Sequence, residues 1–161
     1  MRMIQLADEF FETKNDPSQL DISEEVMEQL RSIHPATMGE ISNDEGPIAW
    51  TIVIPTERST RERFMNGEIG EKELLSTTLD EHDRHLEGDG HVKFTAVYLC
   101  SALVLPEFRG KGLAKKLVLD SIRAIQNDHP IDELYVWAFS GEGNALAEKI
   151  ALELQLPLFR R

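Results

Sequence analysis

Apolar and polar positions along this chain repeat in two periods, and the changes of period mark its elements. From Asp21, "DISEEVMEQLRSI" places Val26, Leu30 and Ile33 at helical spacing, which predicts a helix with one buried stripe. Asp21 and Glu24 stand three apart at its start, the pattern of a capping box. His34-Pro35 ends it, because the residue before a proline is pushed out of the helical region. "GPIAWTIVIPT" is rich in β-branched residues and flanked by prolines, predicting a strand over residues 48–54. The opening "MIQLADEFFE" fits either a short strand or the start of a helix.

Residues 57–91 are polar and predict two short helices broken at Asn66-Gly67. This stretch carries too few apolar residues for a core of its own, so it reads as a helical excursion between strands within one domain. After it, an unbroken apolar run from Ala96 to Leu105, bounded by polar sequence and a proline, predicts a long buried strand. From Gly112 onward Leu113, Leu117, Val118, Ile122 and Ile125 share one helical face, and Lys115, Lys116, Asp120 and Arg123 share the other. "NDHP" ends that helix, "DELYVWAF" is another strand, "SGEG" a loop and "NALAEKIALELQL" a last helix. The second half therefore alternates strand and helix, which implies parallel neighbouring strands joined by right-handed crossovers in an α/β fold.

The length of 161 residues suggests one domain. With 41% hydrophobic and 29% charged residues the composition is that of an ordinary globular chain, so wholesale disorder is excluded. A formal charge of −12 argues against nucleic acid as the main partner and suits either a cationic amine substrate or plain solubility. No apolar stretch approaches the length of a membrane span, and "MRMIQLADEFFETKND" turns acidic too early for a signal peptide, so the expectation is a cytoplasmic protein without a membrane partner. Cys100 lies in an apolar run and reads as a buried, inert thiol. His82, His85 and His91 sit among carboxylates, but their spacing matches no tight metal motif and the composition is that of a solvated loop, so no metal site is assigned.

The candidate chemistry lies at "LVLPEFRGKGLAKKLV", where a buried strand runs into a glycine-rich turn and then a helix. The first turn of a helix leaves amide N–H groups without partners, and with the helix dipole these form a natural anion site. Gly110 and Gly112 let an anion approach the backbone, and Arg109 and Lys111 add charge at the mouth. Each charge-assisted bond contributes about 1.5–3 kcal/mol, so several together hold a pyrophosphate firmly. The dinucleotide pattern fails because Lys115 stands where a third glycine is needed, and the P-loop's Gly-Lys-Ser/Thr is missing. The alternative is a tight strand-to-helix turn whose glycines serve geometry alone.

The segment "ALVLPEFRGKGLAKKL" resembles the signature of the GNAT acetyltransferase superfamily: Arg or Gln, two residues, Gly, one residue, then Gly or Ala. Arg109, Gly112 and Ala114 fill those positions, and the preceding Val-x-Pro is typical. The resemblance covers roughly residue 47 to the C-terminus and is most specific over residues 96–115. It implies a mixed central sheet with helices on both faces and a parallel strand pair splayed at the site of acetyl-CoA. It also implies that amides of Gly110, Lys111, Gly112, Leu113, Ala114 and Lys115, with Arg109, hold the pyrophosphate. The pantetheine arm would run along Ala102, Leu103 and Val104. Asn144 and Ala147 resemble the last helix of the family, where Asn144 would bond the pantetheine arm; by its position it could equally cap that helix. Three departures stand beside the likeness. Ala151 occupies the place of a tyrosine acid, Tyr98 that of a strand glutamate base, and the given sequence ends on "LPLFRR", which leaves little room for the family's usual last two strands, although a late strand over residues 156–160 has room.

Acetyl transfer needs a neutral amine, and neutralising a lysine-like amine at pH 7 costs about 4–5 kcal/mol. Tyr98 is the candidate for proton transfer; it suits donation or water positioning better than abstraction, and packing in the core with a satisfied hydroxyl is the competing reading. An N–H at the strand end, such as that of Val104, suits the thioester oxygen. Ser140 is read as a loop cap with substrate orientation as the alternative, and Trp50 and Trp137 as core. The expectation is an N-acetyltransferase that moves an acetyl group directly from acetyl-CoA to a small-molecule or peptide amine. A non-catalytic acyl-CoA-binding or regulatory module and a nucleotide-binding domain are its rivals. The excursion over residues 57–91 would line the acceptor site, gate it, or make a homodimer contact.

Overall fold

The computed structural model describes residues 2, 3, 5, 6, 9, 20, 23–87, 94–137 and 141–161. Of the opening, the described residues Arg2, Met3, Gln5, Leu6 and Glu9 are helical, the second of its two expected alternatives. Helix α1 spans Glu24–Ile33. Its N-cap is Ser23, whose Oγ accepts the N–H of Val26 at 3.2 Å, in place of the expected capping box; Asp21 lies outside the described residues. A serine hydroxyl one position before the first turn meets the same amide demand without needing the glutamate. The helix buries Leu30 and Ile33, and Thr37 Oγ1 donates to Leu30 O at 2.8 Å just past its end.

Strand β1 (Met38–Asn43) was not expected, and it turns through Asp44 and Glu45 into β2 (Gly46–Thr56), which extends beyond the predicted bounds at both ends. The residues of β1 are mostly exposed or half-buried, so an apolar count passes over them. From Thr51 to Thr56 every residue of β2 is buried, as suits a strand covered on both faces. The excursion forms α2 (Arg58–Met65) and α3 (Glu71–Glu87), broken as predicted around Asn66-Gly67, but α3 is a long helix of 17 residues. Strand β3 (Ala96–Val104) leads through a 3-10 turn at Pro106–Phe108 to α4 (Leu113–Gln126). Strand β4 is short, Glu133–Val136, and residues 138–140 lie outside the described residues. Helix α5 spans Gly141–Leu154, so most of the predicted "SGEG" loop is its first turn, and β5 (Leu158–Arg160) follows.

The five strands lie in the order β1-β2-β3-β4-β5. The β1–β2 and β2–β3 pairs are antiparallel, and β3–β4 and β4–β5 are parallel, giving a mixed sheet in a mixed α/β fold. Helices cover both faces. A Cβ at Gly39 would lie 2.9 Å from Thr51 and 3.0 Å from Ser121 of α4, so Gly39 and Thr51 turn toward α4. Tyr98, opposite Ile54, turns the other way onto Phe64 of α2 and Glu71 of α3. Alternation along β2 puts Thr51 and Ile54 on opposite sides of the sheet. Helix α5 packs on α4, β4 and β5. The larger buried cluster includes Phe64, Leu74 and Leu75 of the excursion beside Ile54, Tyr98, Ile122 and Tyr135, so the excursion packs into the core of the sheet, and a smaller cluster gathers Met3, Leu103 and Leu105.

Candidate functional site

The junction between β3 and α4 is built first by the strand register. Along β2, Ile52 faces Ser101 and Val53 faces Leu99, so Cys100 is the extra residue of a bulge. Leu105 N–H donates to Ile48 O at 2.9 Å. Antiparallel alternation then turns the backbone of Leu103 toward Trp50 in β2, and that of Ala102 and Val104 away from β2. On that far side β4 pairs with β3 only from Ala96 to Leu99. The parallel pair therefore ends at the bulge, and Ala102 and Val104 present backbone groups to an edge that β4 does not cover. One of these, the Val104 carbonyl, accepts Arg109 Nε at 3.0 Å, which folds the arginine back along the strand end.

The turn follows from its residues. Pro106 opens the 3-10 turn, Arg109 is extended, and Gly110 (φ 80°) and Gly112 (φ 74°) both take the left-handed conformation that glycine adopts without strain. A Cβ at either glycine would meet nothing within 4 Å, so the outer side of the turn is open. Gly112 is the N-cap of α4 and supplies no side-chain cap, while its carbonyl accepts the N–H of Lys116 at 3.0 Å. The amides of Leu113, Ala114 and Lys115 occupy the first helical turn, where no intrahelical acceptor exists for them. Lys111 Nζ lies 5.4 Å from the centroid of the Phe108 ring, and Lys115 Nζ pairs with Glu153 of α5 at 3.1 Å. Open amides, the positive end of a 14-residue helix and three cations suit a polyphosphate anion.

The remaining candidates lie elsewhere. Asn144 is the fourth residue of α5 rather than its cap, and its Oδ1 accepts Arg160 Nε of β5 at 2.7 Å. Ala151 is buried against the core and lines an open groove of about 530 Å³ between α5 and β5, with Leu152, Leu156 and Leu158; none of its lining residues belongs to the junction. Trp50 Nε1 donates to Glu40 at 2.8 Å, and Trp137 lies under the Arg161 guanidinium at 4.0 Å. His85 Nε2 pairs with Glu57 at 2.9 Å, while His91 and Ser140 lie outside the described residues. Among the described residues no group of three or more His, Cys, Asp or Glu side chains is placed to hold a metal ion.

Tyr98 is in the core at 1% exposure, and its hydroxyl donates to Glu71 Oε2 at 2.5 Å. Burial, then the neighbouring Glu71 charge, pushes its pKa well above that of an ordinary tyrosine, so it stays protonated. Glu71, fully buried at the start of α3, also accepts Leu20 N–H at 3.1 Å on Oε1, and Cys100 Sγ lies 3.7 Å from Oε2. Ten residues along α3, Glu81 accepts the Thr60 hydroxyl at 2.5 Å, and its Oε2 has no hydrogen-bond partner. Burial raises the Glu81 pKa, with the Thr60 bond opposing. These two carboxylates are the residues that sequence reasoning missed. The available signal was the spacing of Glu71, Leu74, Leu75, Thr78 and Glu81, which fall on one helical face; a search for apolar stripes passes over it because three of the five are polar.

Comparison with known protein families, curated proteins and solved structures finds no match. Among the described residues no helix is long and apolar enough to cross a membrane.

Proposed function

We propose that this chain is an acetyl-CoA-dependent N-acetyltransferase of GNAT type, moving an acetyl group directly to an amine. The observation that carries this reading is the meeting of two features at one place. A strand edge loses its parallel neighbour at the Cys100 bulge, and thirteen residues later, at Leu113, the same chain opens a helix N-terminus behind two left-handed glycines. A ligand with an amide-rich arm and a pyrophosphate matches both: the arm pairs with Ala102 and Val104, and the pyrophosphate takes the amides of Leu113, Ala114 and Lys115 with Arg109 and Lys111. The Leu103 backbone faces β2, so its part is to pack the strand through its buried side chain. Asn144 is held by Arg160 and would have to change partner to reach the arm.

Calorimetric titration with acetyl-CoA and with dephospho-CoA tests the reading. Saturable binding is expected, reduced at least about tenfold by Gly112→Asp, since a carboxylate beside the amides repels the pyrophosphate. A folded wild-type protein that binds neither ligand refutes it. A second reading, a non-catalytic acyl-CoA-binding module, is favoured by Ala151, which puts no acid on α5 where a thiolate would depart. Release of free CoA thiol on adding amines separates the two.

A further inference from the structure

Two aromatic rings meet in a corner at the end of the β3–β4 ladder. Val136, opposite Leu99, is the last residue of β4 to pair with β3, and Trp137 follows it. The Trp137 ring stands at 78° to that of Phe64 of α2, with centroids 5.7 Å apart. The link between α2 and α3 supplies a third side. Ile69 O faces the corner, and a Cβ at Gly67 would lie 3.8 Å from Nη2 of the side chain that fills it. That side chain is the protein's own Arg161, just past β5. Its guanidinium carbon lies 4.0 Å from the Trp137 centroid and 4.6 Å from that of Phe64, and Nη1 donates to Ile69 O at 2.9 Å. Two π faces and a carbonyl suit a guanidinium, a flat and weakly hydrated cation that stacks on rings and donates in its own plane.

We propose that this corner is a guanidinium-binding site, filled in cis by Arg161 and opened to a ligand when that side chain swings out. Three observations set Arg161 apart from a fixed part of the core. The walls stand without it: Phe64 is fully buried against Tyr98 and Tyr135, and Trp137 continues directly from β4. Arg161 and Trp137 are both half-buried, so the corner reaches solvent. The neighbouring stacked cation, Arg61 over Phe159 at 4.2 Å, is tied by Glu133 at 2.8 Å, whereas Arg161 pairs with no carboxylate among the described residues. Its backbone N–H donates to Val136 O at 2.9 Å, which keeps the side chain at hand to return. The ligand is an alkylguanidinium, either a small guanidine or the arginine side chain of a peptide. The formal charge of −12 draws both toward the protein. The proposal stands apart from the acetyl-CoA reading.

The test titrates butylguanidine, butylamine and the peptide acetyl-Gly-Arg-Gly-amide by calorimetry into wild type, Arg161→Ala, and Arg161→Ala combined with Trp137→Leu, each checked for folding by circular dichroism. A tethered side chain competes at an effective concentration in the millimolar range, so Arg161→Ala is expected to bind guanidinium probes at least about tenfold more tightly than wild type. The double variant is expected to lose that binding. Butylamine, a point charge without a flat face, is expected to bind at least about fivefold more weakly than butylguanidine. Binding of the peptide alone assigns the site to an arginine of a protein partner, and binding of both probes admits small guanidines; each supports the proposal. A wild-type readout decides the matter if Arg161→Ala does not fold. The Arg161 Nε–H proton resonance, displaced by the Trp137 ring current, is expected to move to its solvent-exposed position as the probes are added. No binding of either guanidinium probe to folded Arg161→Ala, equal affinity in wild type and Arg161→Ala, butylamine binding as tightly as the guanidinium probes, or an Arg161 resonance that neither probe moves overturns the proposal.

Discussion

Replacing Phe64 by alanine asks whether the excursion is part of the core or an appendage to it. Phe64 is fully buried on α2, with ring centroids at 4.8 Å from Tyr98, 5.8 Å from Tyr135 and 5.7 Å from Trp137. The Arg161 guanidinium covers it at 4.6 Å. Truncating a buried phenylalanine costs about 3–5 kcal/mol, the spread reflecting how far the site can collapse. Collapse is hindered here, because rings from two strands and a guanidinium meet at the position and cannot all close in without leaving the sheet. The aromatic pairs add about 0.5–1.5 kcal/mol each beyond area, so a loss of about 4–5 kcal/mol is expected. For a domain of this size each kcal/mol lowers Tm by about 2–4 °C, which gives a shift of about 8–20 °C. Urea unfolding should be followed by far-ultraviolet circular dichroism and by tryptophan fluorescence, since Trp137 is adjacent to the site. One shared transition at lower urea is the expected result. Two separated transitions, the larger unmoved from wild type, or a loss under about 1 kcal/mol would refute the claim that α2 and the sheet share one core.

Gly39→Ala is expected to cost about 1–3 kcal/mol in a thermal melt, because the new Cβ would lie 2.9 Å from Thr51 Cγ2, 3.0 Å from Ser121 Oγ and 3.3 Å from Leu117; a neutral result would mean that α4 moves away freely. Glu81 sets a pH dependence. Its folded carboxyl titrates above the ordinary 4.5, so between the two values the folded protein keeps a proton that the unfolded chain has released, and stability falls as pH rises through that window. The slope is at most about 1.4 kcal/mol per pH unit, and urea unfolding of wild type and Glu81→Gln over a pH series should show it only in wild type. Glu153→Gln frees Lys115 from its partner on α5 and, on the acetyl-CoA reading, is expected to tighten CoA binding by up to about fivefold in calorimetry, the worth of a half-exposed ion pair. Unchanged affinity would place Lys115 outside the anion site.

The elements that a single periodicity dominates were legible from the chain. The apolar run of β3, the proline, the two glycines and the one-faced helix α4 each obey a local rule, and the structure places them as strand, turn and helix with bounds shifted by a residue. β1 was hidden because its residues are half-buried at a sheet edge, where neither face carries a full apolar stripe. Gly39 carries no local signal of its role, yet its missing side chain admits α4 to the sheet, a demand set by a partner some 80 residues away. The buried face of α3 was illegible for another reason. Glu71 and Glu81 accept the hydroxyls of Tyr98 and Thr60 from distant segments, pairings that no local pattern encodes, while Thr78 bonds back to the Leu74 carbonyl within the helix. At the candidate site the glycine turn could be read directly, whereas the carboxylate behind Tyr98 could not.

The bulge at Cys100 also equips the protein with an internal clock. Cys100 is the chain's single cysteine, 6% exposed, at the residue where the parallel pair ends. A thiol reagent in solution reaches it only when the middle of the sheet opens, so the rate of labelling, divided by that of an exposed thiol, reads the opening equilibrium at one defined residue. Opening confined to the β3–β4 gap would label Cys100 faster than global unfolding allows, and a ligand lying along the free edge of β3 would slow it. The same atom thus reports on the breathing of the sheet and on the occupancy of its edge, with no probe added.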